Sequence, residues 1–338
     1  MNVLQKSELS CCRPSIPFAF TSTSPRLIPS PKRVRPVKSG NMKLRAALQS
    51  NPRDKTRREE RGLSLLVATV TTPREGAAYF KDIFPSMTFQ LNKASRPHKI
   101  STLTVNTRPD DHPEFAALRA ANEGDPRHKF VELSASPPVR NVSLSEGALS
   151  WGRITSQEVR LNYDLLEFLR ISADHCAKDS IEFVVLMEDD FEWCPGALLH
   201  LLSAIQLAEE RGYGNWLVLR TSVGLNGIVI PCQDLPMHIR VGSQKRDEVP
   251  LDSLFGGIWS NAFEVLGREY LTYRYNLFNH IGRVSAKGGE YRVSPDEGAL
   301  FTTTPVCFSL IQYIGLFPAE YFQEGCLLQP FSPCPKTG

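Results

Sequence analysis

The stretch Ile181-Glu182-Phe183-Val184-Val185-Leu186-Met187-Glu188-Asp189-Asp190-Phe191-Glu192-Trp193-Cys194 decides how the rest of the chain is read. Its apolar run, Phe183 to Met187, has the length and branching of a buried strand. The run stops abruptly at the acids Glu188, Asp189 and Asp190. Carboxylates crowded at the exposed end of a buried strand need a positive neighbour, and a divalent cation commonly supplies it. Hard oxygen ligands suit Mg²⁺ or Mn²⁺, which leave coordination positions open for substrate phosphates. The plainer alternative is a strand that exits into an acidic turn and helix start, where acids favour the dipole. The buried strand in front and the neighbouring segments weigh toward the metal.

Upstream, Leu63 to Val70 reads as a first buried strand, followed by the turn Thr71-Thr72-Pro73-Arg74-Glu75. Thr72 is placed to cap, and Pro73 to occupy the first turn of, a helix running through Ala77 to Met87. Ile100 to Val105 is a second strand with its own acidic exit, Arg108-Pro109-Asp110-Asp111. Residues 124–142 read as loop, with at most a short strand at Phe130–Leu133. From Ser156 to Ala173 the apolar positions Val159, Leu161, Leu165, Leu166, Phe168, Leu169 and Ile171 form a helical stripe. Downstream, Pro195 begins a helix closed by Gly212, whose Leu198–Leu207 stripe reads as core packing, and Trp216–Arg220 is a further strand. This alternation predicts an α/β fold with a mainly parallel central sheet and helices on both faces. Ligands of such sheets bind outside the carboxyl ends of the strands, where both acidic exits and the Thr71–Glu75 turn fall.

The 338 residues fit one large domain plus a tail, and an apolar content of 41 % supports a substantial core. With 39 basic residues facing 36 acidic ones, the chain as a whole does not read as a nucleic-acid binder. Residues 1–50 are different: one acid, Glu8, against nine Lys or Arg, with eight Ser and six Pro. A stretch of that composition cannot bury enough apolar surface to fold, so residues 1–60 are expected to be a disordered basic tail. The same composition is shared by organelle transit peptides and by basic arms drawn to anionic surfaces. The folded domain is expected over 61–290, and 291–338 is a C-terminal extension that the patterning leaves unassigned. No apolar run reaches the ~18 residues that span a bilayer. The eight cysteines show no Cys-x-x-Cys metal spacing and, at this length, no disulfide framework. One glycosylation sequon, Asn141-Val142-Ser143, points weakly to a secretory lumen.

Taken together, six blocks resemble the 4-β-N-acetylglucosaminyltransferase family that branches N-glycans. They are the strand with Thr-Thr-Pro-Arg-Glu, then Arg160-Leu161-Asn162-Tyr163-Asp164-Leu165-Leu166, then Leu186-Met187-Glu188-Asp189-Asp190. Trp216-x-x-Leu219-x-x-Ser222-x-Gly224-Leu225-x-Gly227 follows, with the short segment Val249-Pro250-Leu251-Asp252-Ser253-Leu254 after it. Leu277-Phe278-Asn279-His280-Ile281-Gly282-Arg283-Val284-Ser285 is similar to the family's terminal His-Ile-Gly-x-x-Ser signature. The resemblance covers roughly residues 63–290. The chain is also similar to the GPI-glycan N-acetylgalactosaminyltransferases, which share the acidic triplet. The family's membrane anchor and lumenal stem are not visible in the sequence.

The resemblance implies a GT-A-type nucleotide-sugar-binding fold and an inverting transfer of a sugar, GlcNAc by family default, from a UDP-sugar to a glycan acceptor. It implies Mn²⁺ (or Mg²⁺) held by Asp190, with Glu188 or Asp189 supporting the metal or touching ribose. The turn residues Thr71, Thr72, Arg74 and Glu75 would meet the uracil and ribose, with Arg74 pairing either with a phosphate or with Glu75. An inverting transfer needs a general base near the acceptor hydroxyl. Asp252 is the first candidate, with Asp247 or Glu248 as replacements. His280 either completes the metal shell or is a satisfied core histidine in its apolar setting. Gly224 and Gly227 either build a turn or let backbone approach the donor sugar. The family resides in the Golgi and secretory lumen and is membrane-associated. Two other classes remain open: a metal-dependent phosphoryl-transfer hydrolase, which would need His-x-Asp motifs that the sequence lacks, and a non-catalytic carbohydrate-binding relative.

Overall fold

A computed structural model describes residues 62–74, 76, 78–93, 97–108, 112–133, 156–210, 215–222, 225–247, 255, 266–282, 307–308 and 331–332. The basic tail, Glu75, Gly224 and the Asp252 segment lie outside these residues. Among the described residues, ten strands and five α-helices alternate along the chain. They are β1 (Ser64–Thr71), α1 (Tyr79–Lys93), β2 (Lys99–Asn106), α2 (Pro113–Ala121), β3 (His128–Glu132) and α3 (Ser156–Asp179). Then come β4 (Phe183–Glu188), β5 (Phe191–Trp193), α4 (Ala197–Glu210), β6 (Trp216–Arg220), β7 (Ile228–Pro231) and α5 (Leu235–Lys245). The last strands are β8 (Glu269–Tyr273), β9 (Phe278–His280) and β10 (Phe331–Ser332).

Eight of the strands form one sheet in the order β10-β8-β6-β7-β4-β1-β2-β3. Strands β1 to β4 are mutually parallel, as the α/β alternation predicts. Strand β7 runs antiparallel between β4 and β6, and β10 runs antiparallel at the edge beside β8. This is the mainly parallel sheet, covered by helices on both faces, that the strand–helix alternation predicts. The central strands are apolar at nearly every position because both faces are covered. Leu65 and Val67 of β1 join one core with Phe80, Phe84 and Met87 of α1 and Leu201 and Ile205 of α4. Leu66 and Ala68, their alternate neighbours, join a second core with Leu166 and Leu169 of α3. Period-2 side-chain alternation thus feeds two apolar layers from one strand.

Helix α1 does not begin where Thr72 and Pro73 would start it. Arg74 is drawn toward Asp189, and Gly76 turns the chain at φ +73°, so the helix starts only at Tyr79 and runs on to Lys93. The cysteines, expected to build no disulfide framework, form two pairs among the described residues: Cys176–Cys232 and Cys194–Cys307. They are 56 and 113 positions apart, and only the folded sheet brings their Cα atoms to 6.0 and 5.5 Å. Sequence spacing carries no trace of such long-range pairs. The stretch read as a C-terminal extension therefore contributes Cys307 to a disulfide and Phe331–Ser332 to the sheet edge. Among the described residues, no helix is long and apolar enough to cross a membrane.

Candidate functional site

Parallel register brings the two decisive sequence segments together. Val70 of β1 sits opposite Glu188 of β4, so Thr71 and Asp189 leave the sheet side by side. Asp189 is buried and has both oxygens engaged. One accepts from Thr71 Oγ1 at 2.6 Å and from the Thr72 amide at 3.3 Å, and the other accepts from Arg74 Nη1 at 2.5 Å. Arg74 also reaches Asp190 Oδ2 at 3.3 Å and lies 5.4 Å from the Tyr79 ring. Burial opposes the Arg74 charge, but Asp189 and Asp190 beside it prevail and hold its pKa above the ordinary value. Burial lifts the Asp189 pKa against the pull of Arg74 and Thr71. Among the described residues, Arg74 is a positive neighbour of the kind a strand-end acidic cluster requires.

Glu188 is held by a residue that sequence reading passed over. Asn226 Nδ2 donates to Glu188 Oε2 at 2.6 Å, and Asn226 Oδ1 accepts from the Glu188 amide at the same distance. Burial first, then the charge of Asp190, push the Glu188 carboxyl up to about 7, with the Asn226 bond pulling the other way. Asn226 is fully buried in the turn before β7. The next residue, Gly227, has φ +62°, and a Cβ there would meet Thr221 Oγ1 at 2.5 Å and the Phe278 ring at 2.7 Å. Gly227 thus serves turn geometry and close packing.

Asp190 is completed by the far end of the domain. Strands β5 and β9 form a separate antiparallel pair with Phe191 opposite His280. The Ile281 amide donates to the Asp190 carbonyl at 2.9 Å. His280 Nε2 lies 3.3 Å from Asp190 Oδ2, and its ring packs on Phe191 with centroids 4.7 Å apart. His280 is partly exposed at the acidic cluster rather than enclosed in the core. The glycine of the His-Ile-Gly segment has a steric reason: a Cβ at Gly282 would run into Asp190 Oδ2 and lie 2.9 Å from His280 Nε2. Behind β9, Ser222 donates to Asn276 Oδ1 at 2.7 Å, and Asn276 donates to the Phe278 carbonyl at 2.7 Å.

Asp190 Oδ1 is a buried carboxylate oxygen with no hydrogen-bond partner. A hard cation would satisfy it, and His280 offers an imidazole beside Oδ2 of the same carboxylate, so these two residues would fit such an ion. Among the described residues, no group of three or more His, Cys, Asp or Glu is arranged around a common metal position. Beside the cluster opens a cavity of about 220 Å³. Thr71, Thr72, Arg74, Glu188 and Asp189 line it, together with Leu161, Asn162, Asp164, Leu165 and Phe168 of α3. The space exceeds the roughly 150 Å³ that hold one benzene ring, so a nucleobase fits.

Of the sequence-derived candidates, the fold gathers Thr71, Thr72, Arg74, Glu188, Asp189, Asp190 and His280 into one site. Glu75 and Asp252 lie outside the described residues. His112 and Asn226 join the site without having been singled out, because single polar residues carry no periodic signal.

No protein-family model matches the chain, and no curated protein matches it. Among solved structures, it is similar to a glycosyltransferase involved in the glycosylation of the major capsid of PBCV-1. That match has 13 % identity over 62 % of this chain and 81 % of the other, with a TM-score of 0.32. S. aureus TarS residues 1–349 match at 9 % identity over 56 % of this chain and 55 % of that one, TM-score 0.31. Mannose-1-phosphate geranyltransferase from Thermus thermophilus matches at 12 % over 57 % and 67 %, TM-score 0.25. Similarity at that level identifies no activity for this chain.

Proposed function

We propose that this chain is a metal-dependent inverting glycosyltransferase that moves a sugar from a UDP-sugar to a glycan acceptor. GlcNAc is the first donor sugar to test, and a mannose of an N-glycan the first acceptor. The observation that supports the reading is the buried Asp190 carboxylate at a parallel strand exit, with Oδ1 partnerless and Oδ2 3.3 Å from His280, next to Asp189, which lines a base-sized cavity. Asp190 and His280 would hold Mn²⁺ or Mg²⁺. When bound, the ion stabilises negative charge on the departing diphosphate. The chain's own residues do the rest. The Thr71–Arg74 turn and the cavity-lining residues of α3 enclose base and ribose. Arg74, released from Asp190, turns its guanidinium to a phosphate. Asn226 fixes the Glu188 carboxyl at the cavity wall. Asp252 remains the candidate base that takes the acceptor hydroxyl proton. The two disulfides support residence in an oxidising secretory lumen.

Calorimetry of UDP with and without Mn²⁺ tests the reading. Wild type should bind UDP only with the metal, and Asp190→Ala should lose that binding while keeping its circular dichroism. Equal UDP affinity with and without Mn²⁺ in both proteins would remove the metal from the proposal. A hydrolysis screen across UDP-sugars then separates GlcNAc from GalNAc or hexose donors.

A further inference from the structure

Thr71 Oγ1 has two close polar neighbours, Asp189 Oδ2 at 2.6 Å and His112 Nε2 at 2.8 Å. A threonine hydroxyl carries one proton and can donate only once. That proton goes to the Asp189 carboxylate, the stronger acceptor and the shorter contact. The 2.8 Å contact with His112 is therefore a bond in which Nε2–H donates and Thr71 Oγ1 accepts. All three residues are buried: His112 is 7 % exposed, Thr71 1 % and Asp189 3 %. The result is a directed chain, His112 Nε2–H to Thr71 Oγ1–H to Asp189, whose other oxygen holds Arg74.

The fold holds His112 in place for this. It occupies the cap position immediately before Pro113 and makes no side-chain capping bond to α2. Its ring lies 6.1 Å from Phe115, centroid to centroid. Its backbone carbonyl accepts the first helical bond, from Ala116, at 3.2 Å. The side chain turns away from the helix end and reaches across to the exit of β1. On the other side, the Thr107 amide donates to the Thr71 carbonyl at 3.0 Å, which ties the β2 exit to the same residue.

We propose that His112 is a positioning residue of the nucleotide pocket, acting through Thr71 to fix the Asp189 carboxylate and, through it, the Arg74 guanidinium. The inference rests on the glycosyltransferase reading only for what the pocket binds. The hydrogen-bond chain itself stands on the geometry. His112 lies behind Thr71 and is not among the residues that line the cavity, so it takes no direct part in the chemistry. Its loss frees Asp189 to rotate and lets Arg74 settle on Asp190.

The test uses the full-length protein with UDP and Mn²⁺ as probe. His112→Leu keeps bulk and removes the donor, and should weaken UDP binding about tenfold, the worth of one hydrogen bond in a charge-bearing chain. His112→Gln carries an amide N–H at about the reach of Nε2 and should stay within about threefold of wild type. Thr71→Val cuts the chain at its middle, so adding His112→Leu to it should cost no further affinity, whereas a packing role for His112 gives additive losses. Independently of any ligand, nitrogen NMR of neutral His112 should show the Nε2–H tautomer. A bare Nε2, additive losses, or a glutamine as damaging as leucine would each overturn the proposal. If wild type fails to bind UDP with Mn²⁺ while His112 shows the Nε2–H tautomer, the functional reading falls and the positioning chain stands.

Discussion

Arg74→Gln is the perturbation that separates an internal counter-ion from a metal site. In the metal-free protein, Arg74 is the cation between Asp189 and Asp190, and the three side chains are only 7 %, 4 % and 12 % exposed. Removing one partner of a buried ion pair leaves uncompensated charge and costs about 3–5 kcal/mol. For a domain of this size, that corresponds to a fall in Tm of about 6–20 °C. Mn²⁺ should then rescue the variant more than it helps the wild type, because in wild type it must displace the guanidinium from Asp190. Saturation at a hundred times the dissociation constant returns about 2.7 kcal/mol. Differential scanning fluorimetry across an Mn²⁺ titration, with both proteins in the same buffer, reads both effects at once. UDP added on top of Mn²⁺ should stabilise the variant less than wild type, since a phosphate partner is gone. A metal-free variant as stable as wild type, or equal Mn²⁺ shifts in the two proteins, refutes the reasoning.

Gly282→Ala should abolish Mn²⁺-dependent UDP binding with unchanged far-UV dichroism, because the added methyl collides with Asp190 and His280; undiminished affinity by calorimetry would move the site elsewhere. Cys194→Ser and Cys307→Ser should each lower stability, with a chain-entropy ceiling of about 4–5 kcal/mol for so long a loop. The double variant should be no worse than either single one, and reductant should lower the wild-type Tm by more than that of a Cys194→Ser, Cys176→Ser double variant. Burial lowers the His238 pKa from 6.5 to about 4. The unfolded chain therefore takes up this proton first, so the contribution is level above pH 6.5 and stability falls as pH drops from there toward 4. The slope is about 1.4 kcal/mol per pH unit, and denaturant titrations of His238→Leu, which lacks the group, should show a correspondingly shallower acid dependence.

The long apolar runs were legible because burial on both faces writes itself as uninterrupted branched residues. Ser64–Thr71, Lys99–Asn106, Phe183–Glu188 and Trp216–Arg220 all stand where that pattern points. Ile228–Pro231 escaped because four residues ending in proline do not distinguish a strand from a loop, and its antiparallel direction depends on a turn built by Asn226 and Gly227. Helix α5 was missed because Pro236 and Gly242 interrupt a polar-rich stretch that is anchored by packing on α3. In the site, Arg74 and the acids announced themselves as a charge pattern. His112 and Asn226 did not, because their roles arise from contacts 41 and 38 residues away in sequence. The ribbon of β5 and β9 was equally silent, since each strand is only three residues long.

That ribbon has a consequence for biosynthesis. Asp190 and the histidine beside it are separated by 90 residues. At about 5–20 residues per second, a ribosome delivers the second roughly 5–18 s after the first. During that interval β9 is untranslated, while Arg74, the counter-charge of Asp189 and Asp190, is already in the chain. Until the closing strand arrives, the arginine offsets only part of the charge that Asp189 and Asp190 carry. A chain halted before Phe278 would carry those acids with their arginine but without the histidine.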